Sequence, residues 1–516
     1  MSRLRLSLTI PGAISLGAYE GGALAALIVA AKSLGEETLV IDSIAAASAG
    51  SITALLTARA LLRGVDPVDL LAAAWVDNVS FKAMRTSSTA SPLSSGALSE
   101  MATKVLGSGG TPEGPASTWQ QQPVWLSMAL ASLAGLTYDL PELTQHTTVS
   151  ASTFLDWYQV TLTNAVDSAG YLTHAQGAIA SGSNAIGFPA KRLDRKADEA
   201  QYRAAGLQGF PDDGLFWYTD GGTVDNEPLG RTIDLAQQVG SDDDRLYLLI
   251  HPNAIPPTPS PTWAGSAPEP PWVRTAIHSV GIGRSQTIYE DLKRLEKTNS
   301  RLEWVDSVAP AVLAGIDSGI GDAGLSDAQA ALVRDNLTAA LTGAIDKVRE
   351  SQVHVATAAK RTPAEHQPGP SDDWSALLDT LVHAASGLEG RDSVKVEVVS
   401  PAVDERIDPQ TKPLAGSFFF HFGGFFDIKF RQSDFAHGYR DMRAWMTRDL
   451  GGYLAGVDIS AALEEVDRRY VQLGWGDIDD DGATLSSLSF SEKLGLVRLA
   501  FHVGRVVIHD VLHGGV

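Results

Sequence analysis

Residues 38–62 force the chain to pass from a strand to a helix through a run of very small side chains. Residues 38–44 carry enough apolar and β-branched side chains to predict a buried strand, and residues 52–62 read as a helix. Every residue within two positions of Ser48 is Ala or Gly. A turn this tight holds its central residue in a strained conformation, and bulky neighbours would clash across the bend. The pattern is typical of a serine nucleophile presented at a helix N-terminus.

Small-residue turns around a serine also occur without any chemical role. The chain has 49 glycines, and the Ser-x-Gly triplet recurs in it, for example at Ser108-Gly109-Gly110. The first position of the G-x-S-x-G motif, normally glycine, is Ala46 here, whereas the last position is Gly50. Taken alone, the turn leaves a catalytic serine and a structural turn both open.

Strands and helices alternate through the first half of the chain. A predicted strand over 3–10 is followed by a Gly-rich loop, a helix over 18–32 and the strand that ends at the serine turn. Units of this kind join parallel strands by right-handed crossovers. Further strands are predicted over 154–163 and 245–250, and the apolar run 123–132 fits either a central strand or a buried helix. The sequence therefore predicts an α/β fold with a mainly parallel central sheet.

Charge and composition exclude several classes of function. The formal net charge is −21 and the pI is about 4.9, which argues against nucleic-acid binding and against simple electrostatic attraction to an anionic membrane. Any membrane contact would need apolar insertion. The chain has no cysteine, so disulfides and thiolate chemistry are excluded. The alternation of residues 4–10 fits a strand better than a signal peptide, and we expect a cytoplasmic protein, with peripheral membrane contact as an option.

A second motif places an acidic residue at a strand end. Asp220-Gly221-Gly222 follows the aromatic run 216–218, and the two glycines allow a close approach of the backbone to the carboxylate. Asp-Gly is also a common turn, as at residues 213–214. By itself this motif leaves both interpretations open.

A third motif is the loop over residues 11–22, between the first strand and the first helix. Its glycines can turn backbone N–H groups toward an anion, as oxyanion holes and phosphate-binding loops both require. The Lys-Ser/Thr pair of a P-loop and the G-x-G-x-x-G spacing are both missing. An oxyanion loop fits better than a phosphate site.

In this order the three motifs resemble those of the patatin-like phospholipase family, which has an oxyanion loop, a serine elbow and an Asp-Gly-Gly motif. The resemblance covers residues 4–252, and residues 422–426 onward are similar to the tail of longer bacterial relatives. It implies a three-layer α/β/α fold with helical insertions and a helical C-terminal extension. The further stretches that carry it are residues 17–24, residues 180–189 and Asp225-Asn226-x-Pro228.

The resemblance implies that Ser48 is the nucleophile and Asp220 its partner in a Ser-Asp dyad. Backbone N–H groups around Gly12, Ala13 and Ile14 would then form the oxyanion hole. The residues that support these motifs are Ala46, Gly50, Gly221 and Gly222. The implied activity is that of a serine lipid acyl hydrolase that cleaves carboxylic esters through an acyl-enzyme. Its substrate would be a lipid or another acyl ester, and no metal and no cofactor is expected.

Two features of this chain depart from the family pattern and keep alternatives open. The family's triple glycine and following basic residue are reduced here to Gly-Ala-Ile-Ser-Leu at 12–16, and the missing Arg leaves phosphate-headgroup recognition unpredicted. A catalytically silent lipid- or partner-binding protein and an acyltransferase with the same dyad are the alternative functions. A Ser-His-Asp triad through His251 is the alternative mechanism, since that histidine follows Asp220 as in α/β-hydrolases.

The expected organisation has four parts. A patatin-like α/β domain over 1–300 includes a lid-like polar insertion at about 81–122, and a helical insertion covers 301–392. A returning strand and an aromatic segment over 393–450 would pack on the first domain, followed by a helical extension over 451–516.

The aromatic runs at 119–125 and 418–426 would either contact lipid or pack in the core. We expect the core, because contiguous aromatic side chains usually pack inward.

Overall fold

The computed structural model describes residues 3–144, 147–241, 243–253, 288–300, 322–358, 394–401, 414–419, 421–454, 456–475 and 485–513, with a few single residues between them. The sequence is rich in proline over residues 256–271, and this stretch lies outside the described residues, as does much of the predicted helical insertion at 301–392.

An eight-stranded sheet forms the centre of the protein, in the order β5-β6-β3-β2-β1-β7-β8, with β4 paired to β3. Each pair of neighbouring strands is parallel along the run β3-β2-β1-β7-β8. Strands β4 and β6 are antiparallel to β3, and β5 is antiparallel to β6. The predicted mainly parallel sheet is confirmed. The strands are β1 (Leu4–Ile10), β2 (Leu39–Ala46), β3 (Val124–Thr144), β4 (Thr147–Leu162), β5 (Lys191–Asp194), β6 (Leu215–Asp220), β7 (Asp244–Ile250) and β8 (Val396–Val399).

Helices cover both faces of the sheet. The helices before residue 240 are α1 (Gly17–Leu34), α2 (Ala49–Leu62), α3 (Pro67–Ala72), α4 (Gly96–Leu106), α5 (Ser168–Ser181), α6 (Glu199–Ala204) and α7 (Leu229–Val239). The later helices are α8 (Asp327–Ala358), α9 (Ile428–Trp445), α10 (Ser460–Leu473) and α11 (Phe490–His513), and residues 288–300 are also helical. The described residues after 450 are mostly helical, as predicted for the C-terminal extension.

Alternate residues of β1 face the two sides of the sheet and select what packs there. Leu4, Leu6 and Leu8 belong to the large apolar core that includes α1 and α2. On the other face, Thr9 lies 2.7 Å from the hydroxyl of Thr232 on α7. At β1, the face of the sheet that packs on α1 and α2 is therefore apolar. The other face contacts α7 through buried polar side chains.

The sequence left the run 123–132 open between a strand and a buried helix, and it is a strand. β3 spans Val124–Thr144 and forms a long antiparallel hairpin with β4. Residues 396–399 form the predicted late strand, which pairs parallel to β7 and extends that edge of the sheet. The predicted insertion at 81–122 contains α4.

Helix α1 lies at the centre of the helical layer. With the preceding turn, Ile14–Leu34 is long and apolar enough to cross a membrane, and 94% of its apolar window is buried inside the protein. Two close backbone contacts explain its packing on α9. A Cβ on Gly22 would lie 1.9 Å from the carbonyl oxygen of Phe435, and one on Gly438 would lie 2.0 Å from that of Tyr19. The chain's C-terminal part is therefore packed directly on its first helix.

Glu20 on α1 is fully buried beside α2. The hydroxyl of Thr53 lies 3.5 Å from its Oε2, and the indole N–H of Trp75 donates to that hydroxyl at 3.0 Å. Burial raises the pKa of Glu20 well above its ordinary 4.5, and the hydrogen bond from Thr53 opposes this effect. Glu20 therefore keeps its proton at pH values at which an exposed glutamate has lost it.

We expect Glu20→Gln to stabilise the protein increasingly as the pH rises above 4.5, the ordinary pKa of the group. In that window the folded wild type holds a proton that the unfolded chain releases, so its free energy of unfolding falls by about 1.4 kcal/mol per pH unit. The free energy of unfolding stops falling once the pH exceeds the raised pKa of Glu20 in the folded protein. Below the ordinary pKa of glutamate this pH dependence is absent. Urea unfolding of both proteins over this range would measure the effect; parallel pH profiles would contradict it.

Candidate active site

Ser48 lies at the predicted turn between β2 and α2. β2 ends at Ala46 and α2 begins at Ala49, so Ser48 occupies the N-cap position with φ 52° and ψ −128°. A positive φ is unfavourable for a residue with a side chain, and such strain persists only where the surroundings impose it. The N–H of Ala47 donates to the carbonyl of Ile10 at 3.1 Å, which ties the turn to the end of β1.

The small neighbours of Ser48 are explained by close backbone contacts. A Cβ on Gly50 would lie 2.3 Å from the carbonyl oxygen of Pro11 and 2.4 Å from that of Ile10. Ala46 is fully buried in β2, where its methyl group is part of the apolar core. The last motif position therefore requires glycine, whereas the first accommodates alanine.

Asp220 ends β6 and is the hydrogen-bond partner of Ser48. The Ser48 hydroxyl donates to Asp220 Oδ2 at 2.9 Å, and the N–H of Gly222 donates to Oδ1 at 2.8 Å. Both side chains are buried, with Ser48 2% and Asp220 0% exposed. A Cβ on Gly221 would lie 1.9 Å from the carbonyl oxygen of Ala129 on β3. Gly221 thus allows the end of β6 to pass closely over β3, and the N–H of Gly222 orients the carboxylate of Asp220.

The end of α5 supports both halves of this pair. The N–H of Ser48 donates to Ser181 Oγ at 2.9 Å, and Ser181 Oγ lies 2.8 Å from Ser51 Oγ. The N–H of Asp220 donates to the carbonyl of Ser183 at 3.1 Å. The small-residue segment after α5 therefore holds the backbone of the serine and of the aspartate in one place.

The Gly-rich loop passes directly beside the serine turn. The N–H of Gly12 donates to the carbonyl of Asn226 at 3.1 Å, and the Asn226 side chain donates back to the Gly12 carbonyl at 3.4 Å. Ile14 has a positive φ of 55°. Within the part of the chain that the structure describes, the N–H groups of Ala13 and Ile14 have no acceptor. The loop thus offers two backbone donors, and Gly12 anchors it.

Residues 8–233 match the family model of patatin-like phospholipases. The chain contains a patatin-like phospholipase domain. No curated protein matches the chain. The matched range includes Ser48, Asp220 and the Gly12 loop, and it ends before β7.

The C-terminal part of the chain contacts the loop of the patatin-like domain. The N–H and the hydroxyl of Ser15 both donate to the carbonyl of His421, at 3.1 Å and 2.5 Å. The N–H of Gly424 donates to Ser15 Oγ at 3.0 Å. His421 and Phe419 have positive φ angles of 67° and 52°, so this segment is itself strained. We call these three hydrogen bonds to Ser15 the loop clamp.

Aromatic side chains pack behind the loop clamp. The ring of Phe81 lies 6.2 Å from that of Phe422, 5.7 Å from Phe425 and 4.6 Å from Phe426. Phe422 and Phe425 are buried, whereas Phe419 is 37% exposed. Among the described rings of the second aromatic run, Phe422 and Phe425 therefore lie in the core as expected, whereas Phe418 and Phe426 are half-buried.

The other aromatic run, at 119–125, is only half-buried at its two tryptophans. Trp119 packs under the Arg63 guanidinium, 4.5 Å from the ring centroid, rather than in the main core. The core expectation was therefore wrong for Trp119, because the cation–π contact gives the ring a partner at the surface.

His251 does not pair with Ser48. Its Nε2 lies 3.0 Å from Glu227 Oε1, and its Nδ1 lies 2.9 Å from the Asn253 carbonyl. Glu227 is itself buried next to Asn226, which holds the loop. The Ser48 hydroxyl thus bonds to Asp220, whereas His251 contacts Glu227 beside Asn226. In the described ranges no group of three or more His, Asp and Glu side chains could hold a metal ion.

Sequence reasoning missed the residues that position the site. Ser181 and Asn226 lie in stretches that carried the family resemblance, but nothing in their local pattern indicates a hydrogen bond to Ser48 or Gly12. The partners of Ser15 lie about 400 residues further along the chain. Only a contact map of the folded chain could have connected them.

The close contacts at the turn predict losses of stability of different size for two glycine–alanine exchanges. Gly50→Ala should lower the free energy of unfolding by about 3 kcal/mol, because the methyl group overlaps two carbonyls of the β1 end. Ala46→Gly, the matched control, should cost only about 1 kcal/mol. Urea unfolding would measure both, and equal losses would contradict the close approach.

Proposed function

We propose that the protein is a serine lipid acyl hydrolase that cleaves carboxylic esters through a Ser48–Asp220 dyad. The observation that carries the proposal is the 2.9 Å hydrogen bond from the Ser48 hydroxyl to a buried Asp220 carboxylate. It lies at a strained turn within a patatin-like phospholipase domain. The family supports lipid hydrolysis, and the geometry supplies a base for the serine.

In the proposed reaction, Asp220 Oδ2 accepts the proton of Ser48 as Oγ attacks the ester carbonyl. The carbonyl π electrons move to the oxygen, which becomes the anion of a tetrahedral intermediate. Collapse of that intermediate breaks the bond to the alcohol, which leaves with the proton from Asp220, and the acyl group stays on Ser48. Water then attacks the acyl-enzyme by the same steps and releases the fatty acid.

The surroundings of Asp220 suit the role of a general base. One carboxylate oxygen is fixed by the Gly222 N–H, so the other faces the serine hydroxyl in a defined orientation. Burial keeps water from competing for the same oxygen. The arrangement also fixes the rotamer of Ser48, which reduces the entropic cost of reaching the reactive geometry.

Ala13 and Ile14 supply the oxyanion donors in this proposal. Their N–H groups lie on the loop whose first residues contact the turn at Gly50. The N-terminus of the 14-residue helix α2, directly after Ser48, adds a favourable dipole. Gly12 anchors this loop through Asn226.

Labelling with a fluorophosphonate tests the nucleophile. Ser48→Ala should abolish labelling and ester hydrolysis, and Asp220→Asn should lower the labelling rate by about a hundredfold or more, because the base is lost. Ser108→Ala is the matched control, since Ser108 begins another Ser-x-Gly triplet and is exposed.

Two results would contradict the proposal. A folded wild type that is neither labelled nor hydrolytic would indicate the silent binding protein. Release of an acylated alcohol in place of fatty acid, from lipid supplied with an alcohol acceptor, would indicate the acyltransferase.

The loop clamp predicts a kinetic effect of Ser15, which lies outside the dyad. Ser15→Ala removes two of the three clamp hydrogen bonds, so kcat should fall by about tenfold with KM nearly unchanged. Affinity for a boronate that mimics the tetrahedral intermediate should fall in parallel.

Asp427→Ala is the control for this experiment. It removes the N-cap of α9, where Asp427 accepts from the Lys429 N–H at 2.9 Å, without touching the loop. It should lower stability and leave boronate affinity unchanged. A Ser15→Ala enzyme with wild-type kcat would show that the clamp does not position the donors.

A further inference from the structure

Helix α11 carries an apolar stripe on its solvent side. Phe490, Leu494, Val497, Phe501 and Ile508 follow one another at intervals of 4, 3, 4 and 7 residues, which places them on one face of a helix. Their exposed fractions are 83%, 41%, 50%, 75% and 60%. Because burying such side chains is favourable, an exposed stripe of this length marks a contact surface.

The opposite face of α11 packs on the protein. Val506 is buried, Leu499 packs against the core, and the His502 ring lies 3.3 Å from the carbonyl of Ser91. A Cβ on Gly495 would lie 2.9 Å from the Arg85 guanidinium. The helix therefore rests on the 81–122 insertion and directs its stripe outward.

Cations border the stripe on both sides. Arg498 and Arg505 lie on one border, four residues after Leu494 and Phe501 respectively. Lys493 lies on the other border, and all three cations are exposed. The acidic Glu492 is half-buried toward the packed side. In a chain of net charge −21, this helix surface is locally basic. An apolar face with flanking cations is the pattern of a helix that lies in a membrane interface.

We propose that the α11 stripe docks onto a phospholipid surface, with its long axis in the plane of the membrane. The phenyl and aliphatic groups would enter the boundary of the acyl chains, and the three cations would contact lipid phosphates. From Phe490 to Ile508 the helix extends about 27 Å. A second copy of the chain fits less well, because two facing stripes would bring their cation borders together.

This surface connects to the candidate site through the insertion. Ser91 contacts α11, and the N–H of Phe81 donates to the carbonyl of Phe425 in the segment that clamps Ser15. Docking at α11 would hold that side of the patatin-like domain at the lipid surface. The inference extends the proposed function by naming the surface that reaches the substrate, but binding itself requires no hydrolysis.

Vesicle flotation with the full-length Ser48→Ala protein tests the docking without hydrolysis. It should float with phosphatidylcholine vesicles, and more strongly when phosphatidylglycerol is included. Adding Phe490→Ser and Phe501→Ser should lower the partition coefficient about tenfold or more, since two exposed rings no longer insert. Arg498→Gln with Arg505→Gln should remove most of the extra binding to phosphatidylglycerol.

Val471→Ser with Leu332→Ser is the matched control, because both side chains are exposed on other helices. It should bind vesicles as the parent protein does. The proposal would be overturned if the Ser48→Ala protein did not float, or if the stripe variant and the control variant lost vesicle binding equally. It would also be overturned if the Ser48→Ala protein were dimeric in sedimentation velocity and the stripe variant monomeric. Wild-type hydrolysis of a short water-soluble ester is measured separately, so failure of docking and failure of the catalytic proposal are distinguishable.

Discussion

The hydrogen bond from Ser48 to Asp220 determines much of the surrounding structure, because it joins two strand ends that are not neighbours. β3 lies between β2 and β6, and β6 reaches the level of the serine turn from the opposite direction. Strands two places apart are separated by about 10 Å, so the chain must cross closely over β3. Glycine at position 221 permits that crossing, and the buried hydroxyl and carboxylate then satisfy each other.

The matched patatin-like range does not contain every residue that shapes its own site. Residues 8–233 hold the serine, the aspartate and the loop, whereas the partners of Ser15 come from beyond residue 420. Helix α9 packs on α1 through backbone contacts at Gly22 and Gly438. The late part of the chain therefore completes the helical layer and holds the loop. In our proposals it also carries the surface that reaches the lipid, so chemistry and interface belong to separate ends of one chain.

Much of the fold and the main site candidates could be predicted from local patterns. Period-two apolar alternation marks β1, and small residues between a strand and a helix mark the Ser48 turn, because each reflects sterics within a few residues. The length of β3, the antiparallel entry of β6 and the clamp on Ser15 could not be predicted. They depend on pairing between distant segments, and His421 shows no local signal of its contact.

By itself the sequence determined the alternation of strands, loops and helices, the order of the three motifs and the acidic, cysteine-free composition. Tertiary structure alone decided that the Ser48 hydroxyl meets Asp220 and not His251, since the sheet order brings β6 to the turn and leaves His251 against Glu227. It also decided which backbone donors of the loop remain open, and which face of α11 is exposed. Periodicity specifies that a helix has an apolar side, but only packing decides whether that side is covered.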